Sequence, residues 1–70
     1  MALKWTDTEE IALRLQEAEP ELDPLTVRFT DLRDKILALP GFADDVARLN
    51  EKILEAVQMA WYEEYQDAQD

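Results

Sequence analysis

The chain has no cysteine and no histidine, a single glycine and three prolines. Without cysteine no disulfide can staple the fold, and no thiolate can hold zinc or a metal–sulphur cluster. Without histidine the usual general base and the commonest metal ligand are both missing. Carboxylates, Lys35, Lys52, hydroxyls and tyrosines remain, with no nucleophile–base pair and no recognisable cofactor loop, so enzyme activity is the poorest of the function classes. No apolar run approaches the roughly 20 residues of a membrane span. The first residues, Met1-Ala2-Leu3-Lys4-Trp5, lack the apolar stretch of a signal peptide, and with no cysteine pattern of secretion they point to the cytoplasm.

Basic residues are also scarce: seven Lys and Arg face seventeen Asp and Glu, for a net charge of −10 and a pI near 4.2. Such a surface repels nucleic acid and anionic membrane, which are bound through cations that neutralise phosphate. It favours basic protein surfaces and hard cations. Acidity alone would also suit a disordered chain, but 47% hydrophobic residues with so little glycine and proline argue for a folded one. Seventy residues make one domain, expected to be ordered over about 4–66 with a polar tail at 67–70. The apolar stripes are wide enough for one core, so a monomer is expected.

Three helical segments follow from caps and spacing. Thr6 or Asp7 can cap the first, with Glu9 and Glu10 placed for a capping box and for the positive end of the helix dipole. Ile11, Leu15 and Ala18 form its apolar face, Leu13 points away, and Pro20 stops it. Asp23-Pro24 reads as a turn, and alternation of Leu25, Val27 and Phe29 predicts a short extended segment without a partner strand. Thr30 is placed to cap the second helix, with Leu32, Ile36 and Leu39 as its buried stripe. Pro40-Gly41 stops that helix, and Phe42 folds back as an anchor. In the last segment Leu49, Ile53, Val57, Ala60 and Trp61 share one arc, with Leu54 at its edge. Val46 fits the same arc, so one helix over about 45–66 is expected; a break at Asn50, itself a good cap, is the rival reading. The fold class is therefore mainly α, three helices with one short extended segment, of helix-turn-helix character.

Asp7, Glu10 and Glu17 fall on the first helix, Asp31 and Asp34 on the second, Glu51 and Glu55 on the last. These seven are the candidate partner-binding residues, since like charges gathered on a surface suit a basic partner. A merely solubilising surface is the plainer explanation of the same pattern. Asp44, Asp45 and Glu51 could offer oxygen ligands to a hard cation, although the spacing lacks the glycine and alternating ligands of an EF-hand. For either aspartate a helix cap is the simpler role. Trp5 and Trp61 suit the core better than a ligand platform. Leu13, Met59 and Tyr62 are expected outside, where apolar groups beside acids can anchor a contact.

Read in order, Lys4-Trp5-Thr6-Asp7, Glu10-Ile11-Ala12, Asp23-Pro24 and Val27-Arg28-Phe29-Thr30-Asp31-Leu32 resemble the pattern of the IscX family. The resemblance continues through Phe42, Asp44-Asp45, Asn50-Glu51-Lys52-Ile53-Leu54-Glu55-Ala56, Trp61 and Glu63-Glu64. It departs around Val46 to Leu49 and in a longer tail. It implies a modified winged-helix fold, a cytosolic protein of iron–sulphur cluster assembly, docking on the cysteine desulfurase, weak binding of ferrous or ferric iron by acidic residues, and an adaptor or regulator role. No tightly bound cofactor is expected. The rival from another class is an acidic helix-turn-helix-like module, or nucleic-acid mimic, acting on a transcription-related protein.

Overall fold

The computed structural model describes residues 2–69. Its elements are α1 (Thr8–Ala18), a 3-10 turn at Pro24–Thr26, α2 (Phe29–Leu37), a second 3-10 turn at Val46–Arg48, and α3 (Glu51–Gln69). The mainly helical class and the three helices agree with the sequence. No strand forms among the described residues; only a single parallel bridge joins Leu3 to Phe42.

Several local expectations change. Leu25 to Phe29 is not an extended run. Asp23 accepts the Leu25 amide through its side chain at 3.0 Å, and Pro24 at the first position favours a tight turn. Leu25 is left 52% exposed while Val27 is buried, so the alternation is not that of a sheet. The second helix begins at Phe29 behind an extended Arg28, whose carbonyl accepts the Leu32 amide at 2.8 Å, so Thr30 lies within the first turn and is not its cap. The last helix begins at Glu51: the Asn50 side chain accepts the Ile53 amide at 3.0 Å, and Val46–Arg48 coils separately. Its far end continues to Gln69, into the segment expected to be a polar tail. Lastly, Ala18 is exposed, because the buried stripe of α1 runs through Ile11, Ala12, Leu15 and Gln16.

The core gathers Ile11 and Leu15 from α1, Leu32 and Ile36 from α2, and Leu54, Val57 and Trp61 from α3. Leu54, expected at the edge of its arc, is only 7% exposed, whereas Leu49, Ile53 and Ala60 pack partly buried beside it. Leu3 and Trp5 close the core from the N-terminal segment, and α1 packs mainly on α3. The radius of gyration is 11.1 Å. That equals the ~11 Å expected for a compact chain of this length, so the long α3 does not stand away from the rest.

The α2–α3 connection starts with a tight turn. The Phe42 amide donates to the Leu39 carbonyl at 3.1 Å, with Pro40 and Gly41 between them. Gly41 takes φ +83°, the left-handed conformation that a type II turn needs at its third position. The turn sends Phe42 back over the N-terminal segment, as its sequence position suggested.

Candidate functional site

The N-terminal segment is bound to the loop that follows this turn. Leu3 donates its amide to the Gly41 carbonyl at 2.8 Å and accepts the Ala43 amide at 2.9 Å. The Lys4 ammonium reaches the Ala43 carbonyl at 2.6 Å. The Trp5 amide donates to Asp44 Oδ2 at 3.0 Å, and its indole Nε1 to the Asp45 carbonyl at 2.8 Å. The Trp5 ring meets Phe42 edge to face, centroids 4.6 Å apart at 67°, a favoured aromatic geometry. Trp5 is therefore core, as expected, but its partner comes from forty residues downstream in sequence.

Asp44 is the centre of this junction. Its side chain is 7% exposed. Oδ1 accepts the Asp45 amide at 2.7 Å while Oδ2 takes that of Trp5. Arg48 Nη1 stands 3.8 Å away. The Trp5 amide, followed by the Asp45 amide, holds this carboxyl below the usual carboxylate range; the charges of Arg48 and Lys4 add to that and burial opposes it. Asp45 in turn accepts the Ala47 amide at 2.9 Å and caps the second 3-10 turn. Glu51 is exposed in the first turn of α3. Among the described residues no three acidic side chains gather where they could hold a metal ion, so Asp44, Asp45 and Glu51 are not brought together as a ligand set.

The acidic surface begins where the N-terminal segment enters α1. Asp7 precedes the helix but does not cap it; its Oδ2 turns back to the Lys4 amide at 2.9 Å. Its carbonyl accepts the Ile11 amide at 2.9 Å and starts the helical ladder. Thr6, Asp7, Thr8, Glu9, Glu10 and Leu13 line one shallow hollow. Leu13, 40% exposed, is its apolar member. Glu10 forms an exposed i,i+4 pair with Arg14 at 3.3 Å, a contact worth little to stability. Glu17 continues the stripe, four residues beyond Leu13 on the same helix face.

The remaining candidates lie elsewhere. Asp31 and Asp34 line a second hollow with Glu19, Leu22, Thr26, Val27 and Lys35. There Lys35 ties α2 to the end of α1 through Glu19 at 2.6 Å, and Asp34 pairs with Arg33 at 3.2 Å. Glu51 and Glu55 line neither hollow; Glu55 lies one turn before Met59, which is 53% exposed. Tyr62 is only half-buried, its hydroxyl accepting Gln66 Nε2 at 2.8 Å. The seven acids thus divide among at least two surfaces.

Two features escaped the sequence reading. One is the Asp44 junction, for which the only signal was an aromatic and two aspartates following a turn with no helix immediately behind them. The other is Gln16, placed on the buried side of α1, which accepts the Trp61 indole N–H at 3.2 Å.

The family model described as iron-sulphur cluster assembly matches residues 3–66. A Pseudomonas aeruginosa protein named uncharacterized protein PA3808 is 56% identical over 64 residues, covering 91% of this chain and 97% of its own length. Its name assigns no activity. No helix of the described residues is long and apolar enough to cross a membrane. On a match spanning nearly the whole chain, from the Leu3 bridge to the last turns of α3, the protein belongs to the IscX family and takes part in iron–sulphur cluster assembly.

Proposed function

We propose that this chain is a non-catalytic, cytosolic adaptor that docks the acidic N-terminal surface of α1 on a basic face of the cysteine desulfurase serving the same assembly machinery. The observation that carries this reading is the hollow of Asp7, Glu9 and Glu10 around the exposed Leu13. Carboxylates at a helix start steer a cationic partner, and a central apolar group supplies burial that charges alone do not. Lacking cysteine and histidine, the chain brings the desulfurase a surface and not a reactive group. Iron is a cargo that such exposed carboxylates hold weakly and without selectivity.

Titration of the desulfurase with the wild-type chain and with Glu9→Lys, Glu10→Lys and Leu13→Ala tests the reading. The two reversals should weaken binding, most strongly at low salt, because screening already reduces the attraction at high salt. Leu13→Ala should cost roughly tenfold in affinity at any salt, from lost apolar burial. Wild-type affinity that is indifferent to salt, or unchanged by all three substitutions, refutes it.

A further inference from the structure

The geometry points to Asp44 as the positioning residue of the docking hollow, acting through the turn that precedes α1 and not by touching the partner. This rests on the docking reading above. The carboxylate is nearly enclosed, at 7% exposure, so it offers a partner almost no surface. Both of its oxygens are engaged by amides, from Trp5 on one side and Asp45 on the other.

What it holds leads directly to the hollow. The Trp5 amide belongs to the turn in which the Asp7 amide donates to the Lys4 carbonyl at 2.9 Å and Asp7 Oδ2 takes the Lys4 amide. That turn sets where Asp7 stands, and Asp7 directly precedes α1 and lines the hollow. The path from Asp44 to the hollow thus runs through main-chain amides of Trp5, Lys4 and Asp7, with only short aspartate side chains as acceptors and no long side chain in it. Beyond these amides the Asp44 carboxylate meets only Arg48 Nη1, 3.8 Å away and itself largely exposed, and among the described residues no metal-ligand set forms around it. The Leu3 bridge and the Trp5–Phe42 contact hold the same segment through other atoms, so the fold does not depend on Asp44 alone.

Two substitutions separate an acceptor role from a charge role. Asp44→Ala removes the charge and both acceptors; Asp44→Asn removes the charge and keeps one acceptor. Asp67→Asn, on the exposed end of α3, serves as the charge control. Hydrogen exchange on the full-length chain is read first, without any partner. The Trp5 and Asp7 amides should exchange about tenfold faster in Asp44→Ala, the effect of losing one hydrogen bond. They should fall between wild type and that value in Asp44→Asn, while Val57 and Trp61 amides keep their protection in both. Wild-type exchange at Trp5 and Asp7 in both variants overturns the proposal. If Asp44→Ala does not fold, Asp44→Asn carries the test against wild type by the same criterion.

Desulfurase affinity is read second. It should fall most in Asp44→Ala, less in Asp44→Asn, and stay at the wild-type value in Asp67→Asn. Equal losses in the two Asp44 variants would mean that charge matters and position does not, which also overturns it. Should the wild-type chain itself fail to bind, the docking reading falls, and the exchange rates alone decide whether Asp44 sets the turn.

Discussion

Trp61 and Gln16 form a polar contact inside an otherwise apolar core, and its energetic sign can be measured. Trp61 is fully buried, and its Nε1 donates to Gln16 Oε1 at 3.2 Å. Gln16 is 9% exposed, and its Nε2 donates to the Pro20 carbonyl at 3.1 Å, which fixes the orientation of the amide. Trp61→Phe leaves Gln16 Oε1 without its donor, and Gln16→Leu leaves the indole N–H without an acceptor. A buried polar atom left unsatisfied costs about 1–3 kcal/mol, whereas removing both partners can be nearly neutral. Trp61→Phe adds a smaller packing loss of about 1 kcal/mol, because most of the aromatic area remains.

Each single variant should therefore lose about 2–3 kcal/mol, and the double variant should be about 1–2 kcal/mol more stable than the sum of the two predicts. One kcal/mol moves the melting temperature of a domain this size by about 4–8 °C, so the coupling is well within reach of thermal melts followed by far-ultraviolet circular dichroism. Denaturant titrations of the same four proteins check that the two-state slope is unchanged. Losses that add to within about 0.5 kcal/mol would refute the reasoning and show that Gln16 Oε1 and the indole nitrogen do not depend on one another.

Trp61→Ala removes the largest side chain of the α3 core face and should cost about 3–5 kcal/mol, against a total of roughly 4–10 kcal/mol for a chain of this length; a cooperative native-like melt would place Trp61 outside the core. Asn50→Ala deletes the side-chain acceptor for the Ile53 amide and should cost about 1 kcal/mol, a drop of roughly 4–8 °C in melting temperature. Gly41→Ala meets no neighbouring atom, so its cost arises from the φ of +83° alone, about 1 kcal/mol, and Gly41→Asn should lose less. Because its carboxyl is held below the ordinary range, Asp44 favours the native state when ionised. That contribution is complete above the unfolded value of about 3.9 and is lost as pH falls through the depressed native value. The stability gap between wild type and Asp44→Asn should thus be flat near neutral pH and close in acid; a gap that persists in strong acid speaks against it.

Much of the helical layout was legible because spacing and caps are local. Ile11 with Leu15, Leu32 with Ile36, and Val57 with Trp61 recur at helical intervals, and each pair is buried in the core. The beginning of α3 was not legible by the same means. Leu49 and Val46 lie on the extrapolated arc of Trp61, but periodicity says which face a residue would take in a helix and not whether the helix has begun. The Asn50 side chain decides that through one hydrogen bond. The segment from Leu25 to Phe29 misled for a related reason: five residues of alternation fit a strand and also fit a turn leading into a helix. With no second strand to pair its amides, the Asp23 cap and Pro24 prevail.

The acidic residues show the same divide between local and distant causes. Every described aspartate that lies outside a helix spends its carboxylate on a backbone amide: Asp7 on Lys4, Asp23 on Leu25, Asp44 on Trp5 and Asp45, Asp45 on Ala47. The short side chain brings its oxygens back to the main chain, which is why Asp favours turns and caps. Glu9, Glu10, Glu17 and Glu55 stand on helix surfaces, one methylene longer, with their own backbone amides turned toward the helix ladder or its first turn. A count of charge weighs all seventeen acids equally. The folded chain does not, since the aspartates between helices bind main-chain amides, whereas Glu9, Glu10, Glu17 and Glu55 turn to solvent on helix surfaces. Composition and spacing, which offered Asp44, Asp45 and Glu51 as oxygen ligands, do not register that an amide 39 residues away donates to one of the Asp44 oxygens.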